Sequence, residues 1–229
     1  QRYSITRQEQ DELALLSQQR ACAAIAERKF KEEIIPIEVK NHKETVVVDI
    51  DEYPKADTTL EKLSRLKPSF LEGGTVTAGN ASGMNDASSG VILAEESRAR
   101  ELGLPILGRI LSTATVGVDP DIMGIGPVDA TRKALEKAGL TLADISRIEL
   151  NEAFAAQYLA CEKALGLDRS ITNVNGSGIS LGHPVGATGT RLITTLLYEL
   201  RRCGGRYGLV SICAGGGMGV ALVVDSQPQ

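Results

Sequence analysis

The sequence predicts an α/β protein, and three observations carry that reading. From Pro105 onward, apolar β-branched runs alternate with amphipathic stretches of helical period. Glycine-rich turns stand at the ends of several of those runs, and Pro127 sits where the first turn of a helix tolerates proline. Alternation of this kind builds layers of helix over sheet around one core.

In chain order, Thr6 with Glu9 three residues later forms a capping-box pattern, and the absence of Gly and Pro carries a helix through Leu13, Leu16, Ala24 and Ile25 to about Phe30. Pro36 opens a short extended piece, and residues 45–50 are a β-branched run that reads as a strand. Thr58 with Glu61 forms a second capping box and starts a short helix that Pro68 stops. From Gly73 the chain turns small and glycine-rich, with strand-like pieces at 75–78 and 91–94 around a helical stretch. Those pieces have few neighbours for their backbone groups, so a further segment is expected to complete their sheet. Beyond Pro105 the pattern predicts a strand at 106–118, a helix from Pro127 to Ala138, and a strand at 145–150 feeding a helix at 155–165. A short strand at 171–174, a helix at 188–202, and paired strands at 208–213 and 220–225 across a glycine turn complete it.

Composition narrows the function classes. The 229 residues are 42% hydrophobic, with 25 basic against 29 acidic side chains and a net charge of -4, enough apolar content for a sizeable core. No lysine or arginine block is present, which removes the usual footprint of nucleic-acid or membrane-surface binding. An anionic ligand is then held by local groups. No apolar run reaches membrane-span length, and the first residues carry neither a signal core nor an arginine-rich presequence, so the expected location is cytoplasmic. The four cysteines, Cys22, Cys161, Cys203 and Cys213, form no C-x-x-C pair, and His42 and His183 are the two histidines, so no metal site is expected. Asn80-Ala81-Ser82 and Asn175-Gly176-Ser177 match a glycosylation sequon by coincidence of composition.

Three stretches concentrate reactive residues. Asn151-Glu152-Ala153-Phe154 stands at a strand-to-helix junction, where side chains emerge from the carboxyl edge of a sheet; equally, Asn151 could simply cap the helix with Glu152 near its positive end. Residues 175–189 form a glycine-rich loop without lysine, hence no P-loop, whose one ionisable side chain is His183 between glycine and proline. That histidine is as readily structural as catalytic. Cys213-Ala214-Gly215-Gly216-Gly217 places a thiol at the end of an apolar strand. It reads either as an inert buried cysteine before a tight turn or as an acid-base thiol beside exposed N–H groups that stabilise an oxyanion.

Taken together, N-E-A-F, G-H-P-x-G and C-x-G-G-G-x-G, in that order and separation, resemble the C-terminal signatures of the thiolase family of the acetyl-CoA C-acetyltransferase kind. Residues 75–86 and the run from Gly117 through Met123 to Pro127 look like thiolase segments as well. The resemblance implies a layered α-β-α fold with a complete C-terminal domain at 106–229, the last part of an N-terminal domain at 68–105 and a partial loop (lid) domain at 1–67. It implies that His183 activates an acyl-accepting cysteine and donates to a thioester oxygen, that Asn151 anchors a water in the same oxyanion hole, and that Cys213 is the second catalytic thiol. Gly215 would supply an N–H to a second oxyanion hole. Ser82, Met123, Ala153, Phe154 and Lys55 would line the acyl and CoA sites. Lys55 reads equally well as a solvated lysine. Ala87 and Ser177 replace common glycines, which is tolerable unless the backbone there needs positive φ.

None of the four cysteines stands in the family's nucleophile motif. The resemblance therefore implies a C-terminal subunit or fragment, with coenzyme A thioesters as substrates and no resident cofactor. It would interconvert acetoacetyl-CoA plus CoA with two acetyl-CoA once a complementary N-terminal chain supplies the nucleophile. A tetrameric or hetero-oligomeric assembly is expected, with no nucleic-acid or membrane partner. The alternative is a non-catalytic CoA-binding or scaffold subunit.

Overall fold

The computed structural model describes residues 2–40 and 44–227. Helix α1, Arg7–Ala26, starts as the sequence predicts: the Thr6 hydroxyl accepts the Glu9 amide at 3.2 Å, and the Glu9 carboxylate accepts the Thr6 amide at 2.6 Å. It ends before Phe30, because Arg28 takes a left-handed conformation, φ 59°, that an α-helix cannot continue. β1, Ile37–Lys40, and β2, Thr45–Val48, form an exposed antiparallel ribbon. α2, Leu60–Ser64, is capped by Thr59 rather than Thr58. Thr59 Oγ1 accepts the Lys62 amide at 3.2 Å, while the Thr58 hydroxyl is spent on the Lys55 carbonyl at 2.8 Å in the preceding turn.

The strand-like pieces at 75–78 and 91–94 do not form strands, and the helical stretch between them is absent. Thr77 makes one bridge to Pro68; residues 83–95 have no regular structure, and a short helix, α3, Glu96–Glu101, follows them. Met84, Ile92 and Leu93 lie exposed. Among the described residues no neighbouring strand accepts these backbone groups, and a strand without a ladder is not stable in water.

The remainder is layered. A four-stranded sheet has the order β3, β6, β5, β4, comprising β3, Arg109–Gly117, β4, Ile145–Leu150, β5, Tyr207–Ala214, and β6, Met218–Asp225. β4 runs parallel to β5, while β6 is antiparallel to both β3 and β5. Side chains alternate across it. Leu209, Ala221 and Val223 join one core with Val128 and Leu135 of α4, Gly126–Ala138, with Tyr158 and Leu159 of α5, Ala155–Leu165, and with Leu13 of α1. Val210 and Val224 join the other, with Leu192, Leu196 and Leu200 of α7, Thr188–Cys203; the single turn α6, Gly178–Leu181, precedes it. Both faces are thus covered, which yields α-β-α layering.

Two local features fix the loops and helix around this sheet. Residues 171–174 do not make a strand: Thr172 adds one parallel bridge to Ile148, and Asn173, at φ 49°, then bends the chain and spends its side chain on the Leu150 backbone. At the start of β6, a Cβ on Gly219 would lie 2.1 Å from the backbone of Gly126, so the first turn of α4 rests directly on that strand.

Candidate active site

Because β4 and β5 are parallel, their carboxyl ends share one edge of the sheet, the edge at which β3 ends and β6 begins. Asn151 follows β4 there, its amide donating to the Ser211 carbonyl at 3.0 Å, and Cys213 stands two residues further along β5. The loop 215–217 turns the chain back into β6, with Gly216 and Gly217 at φ 84° and 88°. Gly215 is exposed in that turn.

Asn151 does not cap α5. The cap position is Phe154, without a side-chain cap bond, and Asn151 is fully buried with Nδ2 3.3 Å from His183 Nε2. Its Oδ1 is buried with no protein hydrogen-bond partner among the described residues. Glu152 is not at a solvated helix start either. It is buried and accepts from the Ser17 hydroxyl at 2.6 Å, Asn173 Nδ2 at 3.0 Å and the Ile179 amide at 3.4 Å, tying α1 to both loops, while burial raises its carboxyl above the usual range.

His183 is held from three sides. Its backbone N–H donates to the Gly83 carbonyl at 3.1 Å, Nε2 faces Asn151, and Nδ1 lies 2.7 Å from Thr188 Oγ1. The Thr188 hydroxyl donates its own proton to the Pro184 carbonyl at 2.9 Å. Thr188 therefore accepts from Nδ1–H, and the Nε2 lone pair accepts from Asn151 Nδ2. Desolvation, aided by the charge of Arg191, holds the imidazole below its ordinary pKa, so the neutral form prevails at neutral pH.

Cys213 is buried, which pushes its thiol up and keeps it protonated. Cys161 is more so: burial raises it to about 12, and its thiol is engaged with the Gly124 carbonyl at 3.2 Å. Met123 precedes that carbonyl in a 3-10 turn, Pro120–Ile125, at the same edge. Residues 80–82 pair antiparallel to 153–155: the Ala155 amide donates to the Asn80 carbonyl, Ala81 bridges Phe154, and the Ser82 amide donates to the Ala153 carbonyl at 3.0 Å. Phe154 meets Phe70 edge to face, centroids 6.0 Å apart. Lys55 is exposed, with Nζ 5.8 Å from the Tyr53 ring centroid, and the Tyr53 hydroxyl lies against Gly83. A recess of about 360 Å³ opens between residues 85–89 and 184–187. Ser177 has φ -155°, extended backbone, and Ala87 is not at positive φ, so neither replaced glycine strains the loop.

The structure thus brings Asn151, His183, Ser82, Ala153 and Phe154 into one contiguous set, puts Cys213, Gly215 and Met123 on the same sheet edge, and leaves Lys55 at its margin. Sequence reasoning missed Gly83 and the pair Glu149 and Arg191. A carboxylate inside the apolar run Ile148-Glu149-Leu150 was the available signal for the latter.

Comparison with known proteins identifies the relatives of this chain. The pattern "Thiolase, N-terminal domain" matches residues 1–97, and "Thiolase, C-terminal domain" matches residues 104–226. An acetyl-CoA acetyltransferase of Shinella zoogloeoides is 51% identical over 98% of this chain and 57% of its own length. The crystal structure of the Bacillus anthracis acetyl-CoA acetyltransferase superposes with a TM-score of 0.97 at 53% identity, over 99% of this chain and 57% of that one. Human mitochondrial 3-ketoacyl-CoA thiolase in complex with CoA superposes with a TM-score of 0.91 at 47% identity, over 99% and 56%. The chain spans less than two thirds of the length of each.

Proposed function

The chain belongs to the thiolase family, and from that premise we propose that it carries the acid-base side of an acetyl-CoA C-acetyltransferase site, interconverting acetoacetyl-CoA plus CoA with two acetyl-CoA. The observation that carries the reading is the His183 imidazole, with Nδ1 2.7 Å from Thr188 Oγ1 and Nε2 facing Asn151, at the sheet edge where Cys213 stands next to the last residue of β5.

In thiolysis, Nε2 takes the proton of an incoming cysteine thiol, and the thiolate attacks the 3-keto carbon of acetoacetyl-CoA. The imidazolium so formed donates from Nε2 to the oxygen that becomes negative, joined by a water on Asn151 Oδ1. The C2–C3 bond breaks, leaving an acetyl thioester on the cysteine and the enolate of acetyl-CoA, and Cys213 gives its proton to C2. Its raised thiol suits that donation. The Cys213 thiolate then takes the proton of the CoA thiol, the CoA thiolate attacks the acetyl-cysteine over the Gly215 N–H, and the departing cysteine thiolate recovers its proton from the His183 imidazolium, so that acetyl-CoA leaves and both thiols are restored. In condensation Cys213 removes the same α-proton. Ser82, Ala153, Phe154 and Met123 form the wall for the acyl group and pantetheine arm, and Lys55 approaches the nucleotide end. The CoA complex of the human relative supports CoA thioesters as the substrate class.

None of the four cysteines is assigned as the nucleophile in this reading: none stands in the family's nucleophile motif, Cys22 lies on α1, Cys161 is hydrogen-bonded to the Gly124 carbonyl, Cys203 ends α7 and Cys213 is given the acid's role. The nucleophile is supplied by a complementary N-terminal chain, which docks on the domain remnant at 68–105 and the lid segment at 1–67, while 106–229 folds as the C-terminal domain. Native mass followed by the masses of the denatured chains tests the assembly; a second thiolase-like chain in equal amount is expected, and its absence sinks the split arrangement. In the reconstituted enzyme C213A should lower acetoacetyl-CoA thiolysis by about 10²-fold or more. Retained activity would favour a scaffold role.

A further inference from the structure

Glu152 follows Asn151 beyond the end of β4, and the proposed chemistry gives its carboxylate no task. The side chain is buried, and three donors converge on it: the Ser17 hydroxyl of α1 at 2.6 Å and the Ile179 amide at 3.4 Å on Oε2, and Asn173 Nδ2 at 3.0 Å on Oε1. Neither N–H donor can reverse. Asn173 is fixed because its Oδ1 accepts the Leu150 amide at 2.9 Å while Nδ2 also donates to the Leu150 carbonyl at 2.7 Å, and a backbone N–H only donates. Both Glu152 oxygens are therefore acceptors. A carboxylate meets that demand; a glutamine of the same shape does not, since either amide orientation sets N–H against N–H.

These bonds hold the backbone that leads to His183. Gly178 lies so close that a Cβ on it would stand 2.6 Å from the Glu152 carbonyl oxygen and 3.0 Å from Asn151 Oδ1. Ile179 is next, its amide on Glu152 and its carbonyl accepting from Gln18 Nε2 of α1 at 3.4 Å. Ser180 Oγ lies 2.8 Å from Ser17 Oγ, and because Ser17 gives its proton to the carboxylate, Ser180 donates to Ser17. The Leu181 amide on the Ser177 carbonyl at 2.8 Å and the Gly182 amide on the Gly178 carbonyl at 3.0 Å close the single turn α6, and His183 follows directly. We propose that Glu152 and Ser17 are positioning residues of the acid-base site. They lock α6 onto the end of β4 and so set the 3.3 Å separation of Asn151 Nδ2 and His183 Nε2. Helix α1 thereby supports reacting side chains that stand far from it in the sequence. The catalytic meaning rests on the function proposed above; the lock does not.

The test reads the imidazole directly. The tautomer of a neutral histidine is set by the hydrogen bonds of its two nitrogens, and ¹⁵N NMR shifts distinguish the forms. The chain has two histidines, so His42→Asn leaves His183 as the single imidazole, and at mildly alkaline pH it should show the Nδ1–H form alone. E152Q should give a mixture of the Nδ1–H and Nε2–H forms, and S17A, which removes one of the three donors, a smaller share of the second. Leu135→Ala, a core truncation in α4, should lower the melting temperature and keep the Nδ1–H form. In the reconstituted enzyme E152Q should lower kcat for acetoacetyl-CoA thiolysis about 10-fold or more. KM should change little, because neither side chain belongs to the proposed acyl or CoA wall. A parent-like tautomer in either E152Q or S17A overturns the proposal. So does a mixture in Leu135→Ala, which would make the tautomer a readout of stability alone. If E152Q does not fold, S17A decides by itself. The expected tautomers in a chain whose reconstituted enzyme lacks thiolysis break the function and leave the lock standing.

Discussion

Residues 107–227 and residues 27–104 are similar in their supply of apolar side chains and opposite in what they do with them. In the first, every strand of the sheet but the outer edge of β3 is sandwiched, and Leu192, Leu196, Leu200, Leu209 and Val223 are almost wholly buried. In the second, Ile35, Ile37, Val47, Ile50, Phe70, Ile92 and Leu93 face outward. Strand-forming composition was equal; a covering layer was not. α1 shows that position in the chain does not decide membership. Although it precedes both regions, Leu13 and Ala14 enter the sheet's core, and Arg20 binds the carbonyls of Arg169, Thr172 and Asn173.

The contrast breaks most easily by truncation. Leu196→Ala should destabilise the fold by about 2–5 kcal/mol, whereas Ile92→Ala should change it by less than about 0.5 kcal/mol; denaturant melts of both measure the gap. A comparable loss at Ile92 would show that the first region has no monopoly on a core. Next in size is Gly219→Ala. Its Cβ would meet backbone rather than a yielding side chain, so a loss of roughly 1–3 kcal/mol is expected.

The third test concerns pH. Glu149 keeps in the folded state a proton that the unfolded chain releases near the ordinary glutamate value, so the native state binds more protons across the window from there to about 8. Stability should therefore fall as pH rises through that window, and E149Q should remove the fall, by about 1 kcal/mol or more between neutral and alkaline pH. Equal pH dependence in the two proteins would mean that Arg191 pairs with an ionised carboxylate. The smallest effect belongs to the open region: Thr59→Ala should cost about 0.5–1 kcal/mol as a lost helix cap, and Thr58→Ala less, because Thr58 bonds a turn carbonyl instead.

Legibility in the sequence followed the same division. The 145–150 strand and the 155–165 helix were readable to the residue, since period and flanking glycine agree with the tertiary burial that stabilises them. The pieces at 75–78 and 91–94 have the composition of strands, but a strand is a property of pairs, and no pattern within the chain could supply the neighbour. Residues 171–174 failed for a different reason: Asn173 gives its side chain to the Leu150 backbone, which ends pairing after one bridge. At the site, the residue types and their order were legible; the contacts were not. Asn151 has the composition of a cap, and only the fold shows its amide turned toward His183 instead. Glu149 and Arg191, far apart in sequence, become neighbours only when α7 is laid across β4.

The hydrogen bond from the His183 amide to the Gly83 carbonyl crosses from the layered region to the open one. It gives the imidazole a mechanical tether to the stretch that lacks a covering layer. The aim of the imidazole is therefore set partly by a loop outside the layered sheet, so a substitution that shifts the Gly83 carbonyl should disturb the His183 backbone although it touches no strand.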